Sequence, residues 1–254
     1  MKETSLKETR LLMGMPVTIE IVDAAATQAD LDQVYGYFEY VDAKFSTYKE
    51  TSEISAINRG ELTIENASAD MQLVFALAEL TRQETDGYFN IRRDNGTIDP
   101  SGLVKGWAIY NAAQVIRALG FQNFYVDAGG DIQMAGHDAE GGLWRVGIRN
   151  PFNMHEIVKV LALTDCGVAT SGTSIRGQHI YNPKEPDQPL EEVVSLTVIG
   201  PNIYEADRFA TAAFAMGSAG ITFIEGLEGF AGYQIDQHGL ATLTTNFAEF
   251  VAHD

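Results

Sequence analysis

The sequence predicts an α+β fold built on a largely antiparallel or mixed sheet with packed helices, and three observations carry that prediction. Helical periodicity dominates the chain as far as Gly120, and short strand-like runs dominate the remainder. Glycine-rich turns join many neighbouring runs, which suits antiparallel pairing, since parallel strands need long crossovers. Helical signal then returns late, at residues 206–216 and 221–228.

Taken in order, "LLMGMPVTIEIV" carries β-branched residues in its second half and reads as a strand over about residues 11–22. From Gln28 the apolar positions Leu31, Val34, Tyr35, Phe38, Val41 and Phe45 keep helical spacing. "TSEISAINRG" reads as a short helix stopped at Gly60, and "SADMQLVFALAELTRQETDG" as a third helix capped by Ser68 or Asp70. A loop, "NIRRDNGTIDPSGLVKG", leads into the helical "WAIYNAAQVIRALG". Strands are expected at 123–127, 131–134, 144–148, 158–163, 193–199 and 232–235. With no internal repeat and no Pro/Ser-rich linker, residues 1–254 read as one unit.

Composition narrows the function. A formal net charge of −18 over 254 residues repels polyanions and argues against nucleic acid as a partner. A phosphate-bearing ligand would therefore need a local cation, from a metal, a lysine or arginine, or a helix N-terminus. No apolar run reaches the length of a membrane span and no secretory signal is visible, so the expected location is cytoplasmic. The single cysteine, Cys166, excludes an internal disulfide and a thiolate cluster, and reads as a small buried hydrophobe.

Four stretches are hard to explain by packing. "DPSGLVKGW", residues 99–107, combines an acid, a hydroxyl, two glycines and Lys105 ahead of a helix, a composition suited to a phosphate and equally to a capped turn. "DAGGDI", residues 127–132, flanks a glycine pair with two acids; a hairpin turn accounts for the glycines without requiring both carboxylates. "ATSGTSIRGQHIYNP", residues 169–183, strings together Ser171, Gly172, Arg176 and His179, which suit anion binding and proton transfer. The other histidines show no ligand spacing, so a zinc site is not expected. In "YEADRFATAAFAMG", Asp207 and Thr211 stand four residues apart, on one face of an alanine-rich helix. Carboxylate and hydroxyl are hard oxygen ligands of the kind Mg²⁺ takes, while helix capping by Asp207 and a back-bond from Thr211 are the structural alternatives.

In this order, "LLMGMPVTIEI", "FSTYKETSEISAINR", "DPSGLVKGWAIY", "DAGGDI", "ATSG…HIYNP" and "ADRFATAAFAMG" resemble the ApbE family, the FAD:protein FMN transferases, over nearly the whole chain. The resemblance implies an α+β fold with FAD in a cleft between sub-regions and Mg²⁺ as cofactor. It makes Asp207 and Thr211 the side-chain metal ligands and Gly102 the carbonyl ligand. Met13, Tyr48, Tyr88, Phe89, Asn90, Asp99, Lys105 and Tyr181 would line the FAD site, with Lys105 near the diphosphate and Tyr48 and the Tyr88–Phe89 pair stacking on flat rings. The implied reaction is attack by a Thr or Ser hydroxyl of an acceptor flavoprotein on the FMN-side phosphorus of FAD, with AMP leaving. Asp207 and His179 are the catalytic candidates, His179 as the base.

The chain departs from the family pattern at Asn90 and Asn182, where aspartates are usual, and in the short segment between Asn90 and Asp99. A more open pocket is expected there, with Arg92 and Arg93 taking over contacts. Two other readings share the site: a Mg²⁺-dependent FAD pyrophosphatase that uses water as the acceptor, and a flavin-binding protein without catalysis.

Overall fold

The first expected strand is two strands. Met13 and Gly14 both have positive φ, 52° and 73°, and this tight turn divides the run into β1 (Leu6–Leu12) and β2 (Met15–Ile21). Positive φ at both central residues gives the twist that a two-residue hairpin needs, but methionine does not announce it in the sequence. The computed structural model describes residues 5–172 and 180–253, so Arg176 and His179 lie outside the described residues.

Helix α1 (Gln28–Phe45) buries the six apolar positions its periodicity marks. Ser52 caps α2 (Glu53–Asn58) by accepting from the Ser55 amide. Ser68 does the same for the Met71 amide at the start of α3 (Ala69–Glu84). The fourth helix corrects the sequence reading: α4 runs Ser101–Ala118, so Gly102, Lys105 and Gly106 belong to its first turns and not to a loop. Glycine in a helix costs about 1 kcal/mol relative to alanine. Here the missing side chains let another helix approach closely.

Strands β3 (Phe124–Ala128), β4 (Asp131–Ala135), β5 (Trp144–Asn150) and β6 (Asn153–Leu163) fall where expected, β6 being longer than its sequence signal. So do β8 (Val193–Gly200) and β9 (Ala231–Asp236), while β7 (Gly167–Gly172) and the short β10 (Ala241–Leu243) add to them. The late helical signals become α5 (Ile203–Ala215) and α6 (Gly220–Glu225).

Eight strands form one sheet in the order β1-β2-β3-β4-β7-β8-β9-β10. Every pairing among them is antiparallel. One core cluster joins inward residues of the sheet, such as Val17, Ile19, Val126 and Leu196, to apolar residues of α1, α4 and α5. A second gathers Met134, Val168, Ile199 and Tyr233 with Trp144, Leu161 and Leu163 of the β5–β6 ribbon and with Phe247. Burying each aliphatic side chain contributes about 1.5–3 kcal/mol, so cover on both faces stabilises the central strands. Cys166 is half-buried against this second cluster, and burial pushes its thiol up to about 12, which leaves it protonated at neutral pH.

Helix α5 is fixed by its surroundings at the N-terminus. Asn202 caps it through the Glu205 amide at 3.0 Å, and the buried Gln133 of β4 accepts from the Ile203 amide at 2.8 Å. Arg208, itself buried, ion-pairs with Glu205 and with Glu84 at the end of α3. At Gly167 a Cβ would lie 2.1 Å from the Ile203 nitrogen, against backbone that cannot give way. Gly167→Ala should therefore lower the unfolding free energy by about 3 kcal/mol, the upper end of overpacking costs, as read from the urea midpoint followed by circular dichroism.

Candidate functional site

Helices α4 and α5 touch where both carry chemistry. A Cβ at Gly106 would lie 2.6 Å from the Asp207 Cβ and 2.9 Å from the Ile203 carbonyl oxygen. The Gly106 N–H donates to Asp207 Oδ2 at 2.8 Å. In a regular helix that amide serves the carbonyl of Gly102, so the carboxylate competes for the donor. One turn along α5, the Thr211 hydroxyl donates to the Gly102 carbonyl across a long 3.4 Å. Helix packing thus brings Asp207 and Thr211, which helical spacing put on one face, together with Gly102, which the resemblance named.

These residues line a cleft of about 70 Å³ together with Tyr88, Phe89, Asn90, Asp99, Lys105 and Tyr181. Nine of the eleven FAD-site and metal-site residues that the resemblance implied, all but Met13 and Tyr48, therefore line one cavity. Tyr48 is 97% exposed in the connection between α1 and α2, and half-buried Met13 occupies the β1–β2 turn against the main core. Neither lines the cleft.

Lys105, expected beside a diphosphate, is held between carboxylates: it ion-pairs with Asp131 and lies 3.3 Å from Asp207 Oδ1. Burial pushes the Asp207 carboxyl up; the Lys105 ammonium opposes that rise and the Asp131 carboxylate adds to it. The two acids of "DAGGDI" divide their roles. Asp127 accepts from the Gly130 amide at 2.8 Å and closes the turn, whereas Asp131 is buried and accepts from the Thr170 amide at 2.9 Å. Its fixed place beside Lys105 was legible only as one acid of a flanking pair.

The rim is built from the segment after α3 and from residues 180–183. Lys184 sits 4.2 Å from the Tyr88 ring centroid and pairs with Asp86 at 2.6 Å. Arg93 pairs with Asp99 and lies 5.8 Å from the Tyr181 ring centroid. Arg93 therefore lines the cleft as the short segment suggested, while the exposed Arg92 contributes its carbonyl, which accepts from the Tyr181 hydroxyl at 3.3 Å. Asn90 turns its Oδ1 to the Arg92 amide at 2.9 Å. Among the described residues no three His, Cys, Asp or Glu side chains gather into a metal cluster. No helix there is long and apolar enough to cross a membrane.

The antiparallel α+β fold thus carries a cleft in which a carboxylate, a hydroxyl, a backbone carbonyl and a lysine converge between two helices. The family model described as the ApbE family matches residues 13–95 and 91–233, and the chain belongs to that family. It is 23% identical over 284 residues to the FAD:protein FMN transferase of Haemophilus influenzae, covering 83% of this chain and 82% of that protein. With the FAD:protein FMN transferase of Vibrio cholerae it shares 30% identity over 129 residues, which span 47% of this chain and 39% of that protein. In structure it is similar to the flavin transferase ApbE from Vibrio cholerae, with a TM-score of 0.85, 21% identity and coverage of 97% and 99% of the two chains.

Asp99 supplies a pH signature. Burial alone would raise its carboxyl, but the Ser101 and Arg93 donors outweigh burial and hold it below the usual range. A lowered folded-state value contributes stability above the unfolded value of about 3.9 that is lost as pH falls through the folded one. Asp99→Asn should therefore flatten the loss of stability on acidification below about pH 4, measured as the urea midpoint against pH beside the parent protein.

Proposed function

We propose that this protein is a Mg²⁺-dependent FAD:protein FMN transferase, acting as one unit over residues 1–254. The observation that carries this reading is the convergence of the Asp207 carboxylate, the Thr211 hydroxyl and the Gly102 carbonyl on the cleft that Lys105 also lines. The donor set fits Mg²⁺, which takes hard oxygens and keeps places for water and phosphate. Asp207, Thr211 and Gly102 would hold the ion, and when bound it would act as a Lewis acid on the diphosphate.

The cleft, at about 70 Å³, has room for about five waters at 10–15 Å³ each. The flavin and adenine rings would lie along the open rim beside Tyr88 and Tyr181. Phe89, 3% exposed, backs the cleft wall behind Gly102 and keeps water from that side. Lys105 would offer a cation to the diphosphate in an otherwise acidic protein.

In the reaction, an acceptor Thr or Ser hydroxyl forms a bond to the FMN-side phosphorus as the bond to the AMP phosphate breaks. AMP leaves with the electron pair, and FMN stays on the acceptor as a phosphoester. We assign the hydroxyl's proton to His179, whose imidazole titrates in the range a general base needs. The flavoprotein acceptor would present its hydroxyl in a short exposed segment.

Incubation with FAD, Mg²⁺ and a candidate acceptor should move flavin fluorescence with the acceptor on a denaturing gel. Release of free FMN at the same rate with or without acceptor would replace transfer by hydrolysis. Asp207→Asn should lower the transfer rate by about a hundred- to a thousandfold, the scale of losing one electrostatic stabiliser, measured in single-turnover gels. His179→Ala should lower it by about a hundredfold or more, with FAD affinity retained by fluorescence titration; full activity would remove His179 as base.

A further inference from the structure

Asp131 opens β4 and is 2% exposed. Its Oδ1 accepts from the Thr170 amide at 2.9 Å and ties β4 to β7. Its Oδ2 meets the Lys105 ammonium as an ion pair. The same ammonium stands 3.3 Å from Asp207 Oδ1, while Asp207 Oδ2 already accepts from the Gly106 amide. The oxygen of Asp207 that faces a cation is thus the one Lys105 also reaches. Two cations on one carboxylate oxygen repel each other, strongly so out of water. A largely enclosed lysine left without one counter-ion would take whichever carboxylate remained.

We infer that Asp131 is a positioning residue, the nearer counter-ion of Lys105, which lets the ammonium give up Asp207 Oδ1 to a divalent cation. This rests on the metal site proposed above. Asp131 takes no part in bond making; it sets which of two carboxylates the lysine occupies. When a cation arrives at Asp207, the ammonium transfers wholly to Asp131 and stays in the cleft. The backbone bond from Thr170 fixes Asp131 in the sheet, so the lysine is anchored to strand and not to loop.

The test is Mn²⁺ affinity of the FAD-free full chain, read by electron paramagnetic resonance of the unbound ion, with unfolding midpoints recorded in parallel. Asp131→Asn keeps an oxygen for the Thr170 amide and removes the charge. It should weaken Mn²⁺ binding about tenfold, within the range of couplings between contacting groups. Adding Lys105→Met to that variant removes the competitor and restores the charge balance, so affinity should return to the parent's value or better. Lys105→Met alone should bind Mn²⁺ more tightly than the parent, and it decides the matter if Asp131→Asn fails to fold. An unchanged affinity in Asp131→Asn, no recovery in the double variant, or no gain in Lys105→Met overturns the inference. Asp207→Asn separates the two levels: if it leaves Mn²⁺ affinity unchanged, the metal site itself falls and the inference with it. Loss of binding in Asp207→Asn without rescue in the double variant overturns only the role of Asp131.

Discussion

The contact between α4 and α5 at Gly106 and Asp207 is the constraint on which the site depends. A carboxylate at the centre of a protein is costly unless its lone pairs find donors. Asp207 finds one in the Gly106 amide and another in Lys105. The amide is within reach only because residue 106 has no side chain: any Cβ there would meet Asp207 and the Ile203 carbonyl below van der Waals distance. The cost of a glycine in a helix is offset by a close approach that sets the Gly102 carbonyl against Thr211.

That approach is held from several directions. Asn202 and Gln133 satisfy the free amides at the start of α5, and Gly167 lets the helix lie directly on β7. On its other side, Arg208 reaches Glu84 and Thr81 of α3 and packs its guanidinium over the Phe209 ring at 3.9 Å. Neighbouring residues of one helix therefore do opposite work. Asp207 faces the cleft and Arg208 ties the helix to the rest of the helical layer.

The acidity of the chain shapes the cleft as well. In a protein of net charge −18, cations near the cleft are bound up with acids: Lys105 with Asp131 and Asp207, Arg93 with Asp99, Lys184 with Asp86. The rim pairs are half in solvent and exchange partners at little cost. In the Lys105 pair the carboxylate is buried and the ammonium only partly exposed, so each charge depends more on the other. A phosphate-bearing ligand entering this cleft meets cations already positioned by carboxylates.

The sequence by itself determined the elements that periodicity encodes, such as α1 with its six buried apolar positions, and the antiparallel architecture that short turns require. It also marked Asp207 and Thr211, because helical geometry alone puts residues four apart on one face. It missed the break at Met13 and Gly14, since a positive φ at methionine leaves no compositional trace. It also read the start of α4 as loop, since glycine signals a turn unless a neighbour is known to press against it. Only the tertiary structure decided that Asp131 and not Asp127 meets Lys105, that Tyr48 stands in solvent, and that the Gly102 carbonyl lies opposite Thr211. Those facts depend on which elements pack together across long stretches of chain, and local spacing carries no record of distances between residues a hundred positions apart.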